Sequence, residues 1–130
     1  MSEGGSLKDL VIKSSKEAER ILYIVLKDYV RFDEETKDII FLEKFYELSE
    51  KEKVLLMLLA YKALEILGWV EGSSLSPKEV SDKTGVNYNT TKDFLNKLSK
   101  DKIITKVGRG KYRIDVSRLR NIASMFQVGG

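Results

Sequence analysis

The sequence predicts a mainly α-helical domain with one small β-hairpin, a helical N-terminal extension and a C-terminal helix. Three observations lead there. Apolar residues recur at three- and four-residue steps through the N-terminal half. Helix-start signals of the form Ser-x-x-Glu stand at Ser49–Glu52 and Ser76–Glu79. Two short β-branched runs flank Gly108-Arg109-Gly110.

At 130 residues and 42% hydrophobic, the chain can bury one ordinary core, which implies one compact domain with extensions. Cysteine and histidine are both missing from the sequence. Disulfides, thiolate metal sites and cysteine nucleophiles are therefore excluded, and so are the commonest zinc ligand and the commonest general base at neutral pH. The sequence has no Gly-rich phosphate loop and no dinucleotide fingerprint. The expectation is a protein that is not an enzyme, with no cofactor, no metal site and no evident small-molecule substrate. Residues 1–6 (MSEGGS) read as a disordered polar tail rather than a secretory or transit signal. The longest apolar run, Val54–Tyr61, is far shorter than the roughly 20 residues that cross a bilayer. A cytoplasmic, nucleoid-associated protein without membrane contact is the resulting expectation.

Residues 7–72 form a helical body. Leu7, Leu10, Val11, Ala18, Ile21, Leu22, Val25 and Tyr29 fit one amphipathic helix from Leu7 to Val30. Asp33-Glu34-Glu35 marks a break or an acidic first turn, and a second helix over Thr36–Leu48 would bury Ile39, Ile40, Leu42, Phe45 and Tyr46. A third helix starts near Glu50, behind the Ser49/Glu52 capping box, and ends before Gly68. Its run Val54–Tyr61 is apolar almost all the way round and must be covered on most sides. The cover comes from the first two helices, from the following module or from a second copy, so the body is a possible dimerisation region.

Residues 73–115 form the module that carries function. Ser76 and Glu79 make a capping box with Pro77 at the first helical position. That helix ends at Gly85, and Asn87 caps the next, Tyr88–Asp101. On the second helix Thr91, Phe94, Leu95 and Leu98 share one side, while Asn89, Lys92, Asp93, Asn96 and Lys100 share the other. Asn can pair bidentately with adenine, and Lys can donate to guanine or phosphate; Asp93 could accept from cytosine but would repel a phosphate. Ile103–Val107 and Lys111–Ile114 read as paired strands, with Tyr112 and Ile114 facing one way and Lys111 and Arg113 the other. Lys106, Arg109, Lys111 and Arg113 then make a basic ribbon. Asp115 caps a last helix over Val116–Phe126, within a C-terminal segment 116–127 that packs on the body or on a partner subunit. Leu119, Ile122, Ala123 and Phe126 form its apolar stripe, and residues 128–130 should fray.

Charge is segregated along the chain. Residues 75–120 hold 12 Lys/Arg against 5 Asp/Glu, a net +7, and the remainder is net −4. A polyanion is the usual partner of such a segment.

The run Glu79-Val80-Ser81, Thr84-Gly85-Val86-Asn87, Phe94-Leu95, Leu98, Ile103-Ile104 and Gly108 through Ile114 resembles the winged helix-turn-helix superfamily common in prokaryotic and archaeal transcription regulators. The resemblance covers about a third of the chain. Ser81 stands where the family usually has Ala, and Asp101-Lys102 where a Gly turn is usual. The similarity implies that the helix Tyr88–Asp101 lies in the major groove and that the hairpin tip reaches backbone or minor groove. It also implies a double-stranded DNA-binding protein acting as a homodimeric transcriptional regulator. Asn89, Lys92 and Asn96 would then read base edges. Lys78, Lys83, Tyr88 and Thr90 on the helices, with Lys106, Arg109, Lys111 and Arg113 on the wing, would hold the phosphates or the minor groove. The alternative is a winged module used as a protein–protein adaptor in a transcription, replication or cell-division complex, since fold alone does not decide function.

Overall fold

The computed structural model describes residues 6–11 and 14–126. The expected N-terminal tail, apart from Ser6, and the expected frayed end beyond Phe126 lie outside the described residues. Among the described residues the architecture is mainly helical, with five α-helices and two small antiparallel hairpins rather than one. Among the described residues no helix is long and apolar enough to cross a membrane.

The single helix expected over Leu7–Val30 is divided. Leu7–Leu10 forms a 3₁₀ turn, Val11 is extended, and α1 spans Ser14–Leu26; Ile12 and Lys13 lie outside the described residues. Leu7, Leu10 and Val11 are exposed, so their helical spacing faces no core. At the other end the Tyr29 N–H closes a tight turn on the Leu26 carbonyl at 2.9 Å. Val30, β-branched and buried, begins a strand instead of extending the helix.

The helix expected over Thr36–Leu48 is replaced by a hairpin and a 3₁₀ turn. Strand β1, Val30–Phe32, pairs antiparallel with β2, Ile39–Phe41. Asp33 accepts from the backbone N–H groups of Glu35 at 2.8 Å and Thr36 at 3.1 Å, which makes a side-chain-stabilised turn rather than an acidic helix start. Lys37 takes a left-handed φ of 65° in the connection. Ile39, Ile40 and Phe41 are β-branched or aromatic, and tertiary pairing favours them as a strand. In the new register Ile40 opposes Arg31 and is exposed, and Tyr46 is exposed as well, so neither is buried as expected. Phe45 alone of that set is fully buried, stacked on Phe41 with ring centroids 4.2 Å apart.

Helix α2, Glu50–Ile66, is the centre of the molecule. Ser49 and Glu52 satisfy each other's N–H groups at 3.2 and 2.9 Å, which fixes the start. Every residue from Val54 to Ala60 is at most 1% exposed. The cover comes from the chain itself, because α2 packs against α1, against α3 (Pro77–Thr84) and against α4 (Tyr88–Lys100). The apolar girth of α2 is thus used within one copy.

After α4 the chain forms β3, Thr105–Val107, and β4, Lys111–Arg113. Leu75, which leads into α3, exchanges two backbone hydrogen bonds of 2.8 Å with Tyr112 and so adds a third, one-residue rung to this hairpin. The last helix, α5, is Leu119–Met125, shorter than expected because Val116–Arg118 is a 3₁₀ turn. It lies on α1, where Arg120 pairs with Glu17 and Phe126 meets Tyr29 at 6.2 Å. One hydrophobic cluster runs from Ala18 through α2 to Leu95, Ile114 and Ile122, so the N-terminal and C-terminal halves share a core.

Candidate nucleic-acid interface

The turn between α3 and α4 positions the surface. The Ser76/Glu79 capping box starts α3 at bonds of 3.2 and 2.9 Å, and Gly85 ends it with φ 80°, a conformation costly for any residue with a Cβ. Asn87 Oδ1 then accepts from the N–H groups of Asn89 at 2.8 Å and Thr90 at 3.3 Å, starting α4. Between them Val86 is buried, and three hydroxyls lock its backbone. Ser81 donates to the Val86 carbonyl at 2.6 Å, Thr91 donates to it at 3.4 Å, and Thr84 accepts from the Val86 N–H at 3.2 Å. Ser81 thus has a structural role in closing the turn between α3 and α4.

The angle of α4 follows from its buried side. Thr91, Leu95 and Leu98 are each 0% exposed and Phe94 is half-buried. Asn89, Lys92, Asp93, Asn96 and Lys100 are all exposed on the opposite side. Among the described residues no carboxylate pairs with Lys92, and no hydrogen-bond partner engages the side chains of Asn89 or Asn96. Asp93 stands exposed among them, with no ion pair among the described residues. Tyr88 is 46% exposed at the start of the helix, while Thr90 is half-buried.

The hairpin offers its cations on two faces. The register sets Thr105 opposite Arg113, Lys106 opposite Tyr112 and Val107 opposite Lys111. Residues directly opposite share a face, so Lys111 and Arg113 stand with Val107 and Thr105, whereas Lys106 stands on the Tyr112 side. The basic ribbon read from the sequence is therefore divided between two faces. Gly108 and Gly110 take positive φ in the loop and leave Arg109 exposed at the tip.

Several of the expected contact residues already have intramolecular partners. Lys78 meets Asp82 at 3.3 Å, and the Lys83 ammonium sits 5.3 Å from the centre of the Tyr61 ring. Arg113 Nε donates to Asp115 at 3.1 Å. Asp115 does not cap the last helix as expected, because its other oxygen accepts from the Thr105 hydroxyl at 2.6 Å. The Thr105 hydrogen bond, helped by Arg113, holds the Asp115 carboxyl below its ordinary range despite partial desolvation. Beneath β4, Glu65 accepts from Lys62 at 2.8 Å and from the buried Ser73 at 3.0 Å, and both bonds lower its pKa.

Two cations not singled out in the sequence join Lys106. Lys102 and Arg118 line the same shallow hollow of about 290 Å³, together with Ser99, Thr105, Asp115 and Ser117. Lys102 occupies a left-handed φ of 61°. No sequence signal brings Arg118 to this hollow, since its approach depends on the 3₁₀ turn after β4.

No protein-family model, no curated protein and no solved structure matches the chain.

Proposed function

We propose that residues 75–114 are a winged helix-turn-helix and that the chain binds double-stranded DNA, acting as a homodimeric transcriptional regulator without catalytic activity. The observation that carries this reading is the exposed face of α4, where Asn89, Lys92 and Asn96 are unengaged among the described residues, beside a Gly-flanked arginine hairpin. The order of elements supports it too: α2, the Leu75 rung, α3, a three-residue turn, α4, then β3 and β4 is the order of a winged helix-turn-helix. Amide and ammonium groups on such a face match base acceptors and donors in a major groove. Arg109, Lys111 and Lys106 would contact phosphates, with Lys102 and Arg118 extending the field on the Lys106 side. Lys78, Lys83 and Arg113 would first have to leave their present partners, which makes them weaker contributors. Selection of bound duplexes from a random pool tests the reading. Enrichment of a palindrome supports a two-fold regulator, and a pool that stays random with no retained duplex refutes it.

A second reading, a protein–protein adaptor on the same fold, is favoured by one specific observation. Asp93 sits exposed in the middle of the α4 face, where a phosphate would be repelled. Arg109→Glu with Lys111→Glu separates the two, abolishing duplex binding under the first reading and sparing a protein partner's binding under the second.

A further inference from the structure

An apolar groove lies open between α1 and the end of α2. A groove of about 380 Å³ runs there, with Leu22 and Leu26 in its floor and Ile66 and Leu67 on the α2 side. Its α1 edge is Glu19, Tyr23 and Lys27, residues four apart along one helical line. The Lys27 N–H still donates to the Tyr23 carbonyl at 3.0 Å, so all three follow the same helical path. Tyr23 is 68% exposed and Leu67 51%, and Ile24 beside Tyr23 is 55% exposed. Tyr23 and Leu67 both line the groove, so its apolar floor is rimmed by exposed apolar side chains.

The charges along the edge select the occupant. Glu19 stands at one end and Lys27 at the other, about 12 Å apart along the axis at 1.5 Å per residue. Arg31 adds to the positive end, its guanidinium held by the Lys27 and Val30 carbonyls. A line that is negative, aromatic, then positive is complementary to itself when reversed. We propose that a second copy of this chain occupies the groove, with the two α1 helices antiparallel about a two-fold axis through Tyr23. Glu19 of each copy meets Lys27 of the other, and each Tyr23 ring covers the groove beside Leu67. Such an interface is isologous, the form a two-fold dimer requires. It gives the homodimer of the proposed regulator, on which its use rests, a location on α1 rather than on α2.

Charge exchange in the full-length chain, read by sedimentation equilibrium, tests this. Glu19→Lys alone and Lys27→Glu alone each set like charges across the axis and should weaken dimerisation about tenfold. The double variant Glu19→Lys/Lys27→Glu restores both pairs and should return close to wild type, as should an equimolar mixture of the two single variants. Tyr23→Asp should leave monomers. The proposal is overturned if wild type stays monomeric at about 100 µM, or if its dimer constant ignores the single variants or is not rescued by the double. It is also overturned if a monomeric wild type binds anilinonaphthalene sulfonate in a manner lost in Tyr23→Asp, since a small apolar molecule is then the occupant. Duplex binding by the same variants keeps the two readings separate. Rescue by charge exchange with no duplex affinity refutes the DNA reading and leaves the dimer, and the reverse result refutes the dimer alone.

Discussion

Leu75 and Tyr112 exchange two backbone hydrogen bonds of 2.8 Å, and this rung ties the β3–β4 hairpin to the segment that enters α3. Both side chains are buried, at 3% and 5% exposure. The hairpin is therefore anchored through the middle residue of β4, with Arg109 exposed at its tip. Hydrogen exchange should find the Leu75 and Tyr112 amides among the slowly exchanging core and the Arg109 and Gly110 amides among the fast ones. Equal rates at Leu75 and Arg109 would contradict the anchoring.

Asn87 caps two N–H groups at the start of α4. Asn87→Ala should cost about 1 kcal/mol in urea unfolding, and Asn87→Gly only a few tenths. No loss in Asn87→Ala would mean that the cap bonds contribute nothing.

Lys102 holds a left-handed backbone conformation that side chains resist. Lys102→Gly should raise stability by roughly 1 kcal/mol in thermal or urea unfolding while removing one cation from the hollow beside Lys106. A stability loss would show that the lysine side chain has an intramolecular role.

Asp115 is held ionised by the Thr105 hydroxyl and by Arg113, with its folded pKa depressed. A depressed carboxylate contributes stability above its unfolded pKa and loses that contribution as pH falls through the folded value. The lead of wild type over Asp115→Asn should therefore be full near neutrality and shrink as pH drops from about 4 downward. A lead that does not change with pH would assign the loss in the variant to something other than the carboxylate charge.

The C-terminal half was largely legible in the sequence because its signals are local. Ser76 with Glu79, Gly85 and Asn87 each fix one backbone position with their own side chain or lack of one, and all act as read. The exposed and buried sides of α4 followed from its period alone. The N-terminal half misled because its information is tertiary. Ile39 and Ile40 fit a helix by spacing, and only pairing with Phe32 and Arg31 decides for a strand. Asp33 reads equally as a helix start or a turn until its carboxylate is seen to accept from Glu35 and Thr36. The side of Lys106 depended on register, which a one-residue shift would invert. The approach of Arg118 to Lys102 and Lys106 depends on the 3₁₀ turn after β4, which no local spacing encodes.

Duplex affinity measured by fluorescence anisotropy across a salt series bears most directly on the α4 face and the Arg109 hairpin. The account predicts that log K falls linearly with log salt, with a slope of about −4 for four to five neutralised phosphates. Arg109→Glu with Lys111→Glu should weaken binding and make that slope shallower by about 2. A flat salt response, or a slope that the double variant leaves unchanged, would contradict it.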